Sequence, residues 1–280
     1  MLRSAVDTVC REEGASTIAV AFYDFETETG WSHLADRWFH AASTIKLAVL
    51  VALHDAAASG RLSLDARLHV RNRFVSRADG ESYRIDPARD ADGAVHAQIG
   101  RSMRLRELAR HMIVRSSNLA TNLLLDLVGP REAQETLERL GIPGIRLLRG
   151  VEDRRAWEAG INNEVTAHGL LELLRTIYRG EGLAQDSAGE MLDVLFAQEL
   201  DCGIRAGLPA SLRGQAQVAS KTGDISDHTH DAGLVYLPDR KPYALVVLTA
   251  WAQAATTSRQ GTVARVSRLV YDAFVAGAGA

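Results

Sequence analysis

Lysine is the scarcest charge-bearing residue in this chain of 280 residues: it stands only at Lys46, Lys221 and Lys241, leaving 29 of the 32 basic positions to Arg. The chain uses Arg wherever a plain positive charge serves, so a retained Lys draws notice, because only Lys can lose its proton near neutral pH and act as a base. Cysteine is almost as rare. Cys10 and Cys202 are far apart and have no Cys or His at metal-ligand spacing, so a free thiol pair is expected, not a disulfide scaffold or a metal centre. No apolar run approaches the roughly 18 residues of a membrane span. The opening MLRSAVDTVCREEG has no apolar stretch of about 7–15 residues and no small-residue cleavage site, so it does not read as a signal peptide. As given, the chain is expected to be cytoplasmic, or secreted or periplasmic if a leader was removed. A net charge of −3 provides no basic field for nucleic acid. The expected partner is therefore a small-molecule substrate, with no nucleic acid and no membrane.

What is present points to an ordinary globular core, with 46% hydrophobic and 24% charged residues. At this length roughly three quarters of the unfolded surface can be buried, so no metal or disulfide is required for stability. Leu2, Ala5, Val6, Val9 and Cys10 fall at helical spacing and predict a helix stopped at Gly14. Strands are predicted over Ser16–Phe25 and Trp31–Leu34, and again over Gln217–Lys221, Asp231–Leu237 and Tyr243–Ala250. Between them lie helical patterns: TIKLAVLVALHDAAASG, apolar on nearly all sides, then Leu105–Ile113, Leu119–Val128, Arg131–Leu140, Thr166–Tyr178 and Ser187–Leu200. Residues 70–102 are polar and irregular and read as a surface excursion. A last helix is expected over Thr257–Ala276.

Strands at both ends of the chain must pair across the helical insertion. The expected fold class is α+β: one antiparallel sheet of about five strands flanked by the terminal helices, with an inserted all-α lobe. The expected division is a single domain over 1–280, with an α/β lobe of residues 1–42 and 213–280 and an all-α lobe of residues 43–212. The cleft between lobes is the natural place for a small ligand.

Three short motifs occur in order. In Ser43-Thr44-Ile45-Lys46, positions i and i+3 share a helix face, which sets the Lys46 amine beside the Ser43 hydroxyl at the start of a buried helix. Burial lowers the pKa of an amine, so it can accept the serine proton. Ser116-Ser117-Asn118 falls in a break between two helices; Ser116 can relay a proton, and Asn118 offers a donor and an acceptor to an amide-bearing substrate. A helix N-cap is the competing explanation for that triplet. Lys221-Thr222-Gly223 falls at a strand end, where the Lys supplies charge, the Thr hydroxyl binds a carboxylate, and the missing Cβ of Gly lets a substrate lie against the strand.

These three motifs together resemble the S-x-x-K, S-D-N and K-T-G marks of class A β-lactamases and penicillin-binding proteins. The stretches SSNLATNLL, GVEDRRAWEAGINNEVTA and HDAGLVYLP are similar to that family as well. The resemblance implies a two-lobed β-lactamase/DD-peptidase-like fold, an acyl-enzyme on Ser43, Lys46 as base, Ser116 as proton shuttle, and Asn118, Lys221 and Thr222 as substrate binders. It also implies an oxyanion hole from the backbone N–H groups of Ser43 and Asp224, a serine hydrolase acting on cyclic amides, and no cofactor.

The chain departs from the family pattern in places. Ser117 stands where class A enzymes usually carry Asp. The family's deacylating Glu has two candidates here: Glu152, preferred on its spacing from Ser116 and Lys221, and Glu158, which matches the W-E lettering but lies close to the following helix. Asp224 falls on the same strand face as Thr222, where it would repel a substrate carboxylate. Asp227, His228, His230 and Asp231 fit no standard zinc spacing, so no metal is expected. Three functions stay open: a β-lactamase-like amidase, an esterase or peptidase of the same fold acting on another ester or peptide, and a non-catalytic penicillin-binding sensor.

Overall fold

A computed structural model describes residues 1–254 and 259–276. The expected start of the last helix at Thr257 lies outside the described residues, as do 255–258 and 277–280 generally, and its expected end at Ala276 falls two residues beyond the observed end at Phe274. Five strands form the main sheet: β1 (Thr17–Asp24), β2 (Thr29–His33), β3 (Gln217–Ile225), β4 (His228–Tyr236) and β5 (Tyr243–Ala250). Their order across the sheet is β3-β4-β5-β1-β2, and every neighbouring pair is antiparallel. The N-terminal strands thus enter beside β5, closing a sheet whose two halves are separated by the whole helical insertion.

The period of two along β1 explains why this sheet is buried on both faces. Ile18, Val20 and Phe22 pack in a cluster with Val6 and Val9 of α1 (Leu2–Glu12) and Val263, Val266 and Val270 of α8 (Gln260–Phe274). Ala19 and Ala21 point the other way, into the cluster shared with the helical lobe. Each fully buried Val, Ile or Leu in these layers contributes about 1.5–3 kcal/mol.

The central helix α2 (Lys46–Ala58) is preceded by a 3-10 turn over Ala42–Ile45. From Lys46 to His54 every residue of α2 is buried, so its uniformly apolar character reflects a core position. Around it stand α3 (Leu105–Val114), α4 (Asn118–Val128), α5 (Pro130–Arg139), α6 (Ala167–Arg179) and α7 (Ser187–Phe196). Thr166 caps α6, its Oγ1 accepting from the Gly169 N–H at 2.9 Å. Among the described residues no helix is long and apolar enough to cross a membrane. Cys10 and Cys202 are both free.

The excursion at 70–102 is more ordered than its composition implies. Phe74–Val75 pairs with Ser82–Tyr83, and Arg67–His69 pairs with Ser102–Arg104. Val70, Phe74, Ile85 and Val95 are buried, so the segment packs on the helical lobe through widely spaced apolar anchors. Such anchors have no period and leave no trace in a window of sequence.

Candidate active site

The left-handed residue Ala42 (φ 45°) turns the chain into the 3-10 segment, which carries Ser43 at the entrance of α2. One helical turn on, Lys46 has no exposed surface. Its Nζ lies 3.0 Å from Ser43 Oγ, 2.6 Å from the Ser116 carbonyl, 3.0 Å from Ser116 Oγ and 2.9 Å from Asn118 Oδ1. The Ser116 hydroxyl in turn lies 3.0 Å from Ser43 Oγ. Ser116 is itself left-handed (φ 57°), the conformation that turns both its carbonyl and its hydroxyl towards Lys46. A non-glycine residue held there is strained, as residues at functional sites often are.

Burial, reinforced by the Lys221 charge, pushes the Lys46 amine well below its usual range, while Asp90 and Glu152 pull in the other direction. Lys221 is also fully buried, and burial lowers it to about 8, with Asp231 opposing. Its Nζ donates to the Thr222 carbonyl at 2.9 Å.

The Lys221-Thr222-Gly223 triplet lies within β3, not at its end, because the strand runs on to Ile225. At Gly223 the missing Cβ also serves the packing of the site. A Cβ there would lie 3.1 Å from the backbone nitrogen of Ser43 and 3.1 Å from Ala42 Cβ, so the bare Cα makes room for the serine turn itself. Asp224 is exposed and accepts from Thr229 Oγ1 at 3.1 Å.

The loop at 149–163 is brought to this site by α4. Asn118 and Asn122, one turn apart, share a face. Asn118 Nδ2 donates to Glu152 Oε1 at 3.1 Å. Asn122 clamps the preceding residue, accepting from the Val151 N–H at 2.8 Å and donating to its carbonyl at 3.0 Å. Glu152 is left-handed (φ 58°), and Arg89 stands 3.8 Å from its second oxygen. Behind it, Arg149 is buried and donates to the Ile161 carbonyl at 2.9 Å, and Asn163 ties Leu148 and Arg149 through their backbone. Glu158 faces elsewhere: it pairs with Arg154 at 2.8 Å on the outside of the short helix Arg154–Glu158.

The structure therefore gathers Ser43, Lys46, Ser116, Asn118 and Glu152 in one hydrogen-bonded group, with Gly223 against the serine turn and Glu158 apart. The histidines near Asp227 are otherwise engaged. His230 donates to the His40 carbonyl at 2.9 Å and accepts from the Thr249 N–H at 3.1 Å. Burial lowers it to about 3, so it is a neutral core residue. Sequence reasoning missed Asn122, Arg149, Asn163 and Asp90. Asp90 is a fully buried carboxylate that accepts from the N–H groups of Asn118 and Leu119, each at 2.9 Å. For Asn122 the spacing of four from Asn118 was an available signal; for Asp90 there was none.

Known proteins are similar to this chain in sequence and in fold. A family model described as the beta-lactamase enzyme family matches residues 1–274. A beta-lactamase from Rhodobacter capsulatus is 30% identical over 241 residues, covering 83% of this chain and 75% of that protein. Beta-lactamase L2 from Stenotrophomonas maltophilia is 30% identical over 70% of this chain and 67% of its own. A beta-lactamase from Bacteroides uniformis is 29% identical, and the match spans only 60% of its length. Among solved structures, a variant of an ancestral class A beta-lactamase of Gram-negative bacteria superposes with a TM-score of 0.84 at 25% identity, covering 99% of this chain and 98% of that one. PBP-A carrying the L158E mutation, solved as an acyl-enzyme complex with penicillin G, gives a TM-score of 0.80 at 26% identity, covering 98% of this chain and 96% of that one. With its α+β fold, its three motifs and a match over nearly its whole length, this chain belongs to the beta-lactamase enzyme family.

Proposed function

We propose that the chain is a serine hydrolase that forms an acyl-enzyme on Ser43 and hydrolyses the amide of a β-lactam. One observation carries this: the fully buried Lys46 amine lies within hydrogen-bond reach of the Ser43 hydroxyl. The Ser116 carbonyl at 2.6 Å and Asn118 Oδ1 at 2.9 Å can only accept, so they take two N–H bonds. A neutral amine then has one lone pair left, and the Ser43 hydroxyl lies 3.0 Å away. Full burial favours that neutral form.

In this reading Lys46 takes the Ser43 proton as Oγ attacks the carbonyl carbon. The C–N bond of the amide breaks, and Ser116, 3.0 Å from both Lys46 Nζ and Ser43 Oγ, passes the proton to the leaving nitrogen. The backbone N–H groups of Ser43 and Asp224 stabilise the oxyanion; loss of one such donor typically costs about 100–1000-fold. Asn118, Lys221 and Thr222 hold the substrate in a cleft between a sheet lobe (1–42 and 213–280) and a helical lobe (43–212). Glu152 then draws a proton from water, whose oxygen attacks the ester carbon; the C–Oγ bond breaks and that proton is passed on to Oγ, restoring the Ser43 hydroxyl and the Glu152 carboxylate. Glu158 has no part in this. The penicillin acyl-enzyme of the PBP-A variant supports the choice of substrate class.

Intact-mass measurement after exposure to penicillin G, alongside turnover of a chromogenic cephalosporin, tests the proposal. The expected result is a transient adduct and steady turnover, both lost in Ser43→Ala. No adduct and no turnover with several β-lactam classes overturns it, and a permanent adduct favours a sensor. One observation favours an esterase or peptidase as the second reading: the exposed Asp224 carboxylate, two residues from Thr222 on β3. Under that reading neutral esters are turned over faster than carboxylate-bearing β-lactams, and Asp224→Asn narrows the gap.

A further inference from the structure

The excursion at 70–102 buries two carboxylates: Asp92, which pairs with His111 of α3, and Asp90, which meets the start of α4. The Asp90 side chain has no exposed surface, whereas the neighbouring Arg89 side chain is 72% exposed. Five donors converge on it. Oδ1 accepts from the N–H groups of Asn118 at 2.9 Å and Asp92 at 3.2 Å; Oδ2 accepts from the Leu119 N–H at 2.9 Å, His96 Nε2 at 3.0 Å and Ser117 Oγ at 3.4 Å. A carboxylate offers about four lone-pair sites, so this one is saturated. Asn118 and Leu119 open α4, where backbone N–H groups have no partner within the helix and its positive end favours an anion. Ser117 already serves as the N-cap, its Oγ accepting from the Ala120 N–H at 3.2 Å, which leaves the first two N–H groups to a carboxylate from outside the helix.

The geometry points to Asp90 as a positioning residue of the Ser43 site. By bonding the N–H groups of Asn118 and Leu119 it fixes where α4 begins. That sets the Asn118 amide, which joins Lys46 to Glu152, and the Ser116 groups two residues earlier that hold the Lys46 amine. The kinetic consequence rests on the acyl-enzyme reading; the structural one does not.

The test compares Asp90→Ala, the nearly isosteric Asp90→Asn, Ser117→Asp and the double variant Asp90→Ala/Ser117→Asp in the full chain. Penicillin G is the probe, with the limiting acylation rate separated from the half-saturating concentration and amide exchange at Leu119 followed by NMR. Both Asp90 variants are expected to lose about 100-fold in limiting rate, with little change in half-saturation, and to lose protection at Leu119. Ser117→Asp alone sets two carboxylates face to face and also loses rate. The double variant returns a carboxylate to the cap position, where it accepts from the second and third N–H groups of the helix, and recovers to within about tenfold of wild type.

Wild-type acylation and protection in Asp90→Asn overturns the assignment, as does a double variant that is unfolded or no better than Asp90→Ala. Should Asp90→Ala not fold, the comparison is made between Asp90→Asn and the double variant. If the wild-type chain takes no penicillin, the acyl-enzyme reading has failed. Leu119 exchange then decides alone: loss in Asp90→Asn with recovery in the double variant upholds Asp90, and unchanged exchange rejects it.

Discussion

Gly223 of β3 stands directly against Ser43: a Cβ on it would lie 3.1 Å from the serine's backbone nitrogen and 3.2 Å from Thr44 Cγ2. The contact is with backbone, which cannot swing away like a long side chain. Gly223→Ala is therefore expected to displace the serine turn by a few tenths of an ångström. Acylation by a chromogenic cephalosporin should fall about 10–100-fold in stopped-flow measurements. An alanine variant with wild-type rates would show that the strand and the turn are not held in register.

Glu152 and Glu158 differ in what holds them, and their variants should differ accordingly. Glu152 is tied to the Lys46 cluster through Asn118, whereas Glu158 is bound to Arg154 at the surface. Glu152→Gln is expected to acylate nearly normally and then hold its adduct, with deacylation slowed at least about 100-fold, the lower range for loss of a general base. Glu158→Gln should leave both steps within about twofold, as expected for an exposed surface charge. The measurement is the lifetime of the penicillin adduct by intact mass; a persistent adduct in Glu158→Gln and not in Glu152→Gln would reverse the assignment.

Much of this site was legible because its parts are local. The i, i+3 spacing of Ser43 and Lys46 needs only a helical turn, and burial of α2 follows from a run of apolar residues. The paired strand patterns at the two ends forced the sheet to close across the insertion. Asp90 was illegible for the opposite reason: it meets Asn118 from 28 residues away in sequence, out of a polar loop without period. The packing role of Gly223 was likewise hidden, since the turn it accommodates lies at the other end of the chain.

Acid should weaken the fold through its buried histidines. Burial lowers His54 and His40 from 6.5 to about 4 and His230 to about 3, so the folded state keeps them neutral. As pH falls below 6.5 the unfolded chain takes up protons that the folded one does not, and stability drops until the folded values are reached, near 4 for His54 and His40 and near 3 for His230. Asp231, raised by burial from 3.8 to about 6, acts in the opposite sense over that interval but is one group against four, since burial lowers His33 as well. The melting temperature is expected to fall between pH 7 and pH 4, with a shallower slope in His54→Leu. An unchanged slope would mean that His54 titrates alike in both states.

The account depends on a neutral amine at Lys46, and the scarcity of lysine makes that directly measurable. With Lys at only 46, 221 and 241, protein labelled with 15N at the lysine side chains gives three ζ-nitrogen signals, and Lys46→Arg assigns one of them. The Lys46 signal should titrate well below 10.5, the value for an unburied lysine. A Lys46 amine that stays an ammonium up to pH 10.5 would contradict the proton transfer from Ser43 on which the proposed chemistry rests.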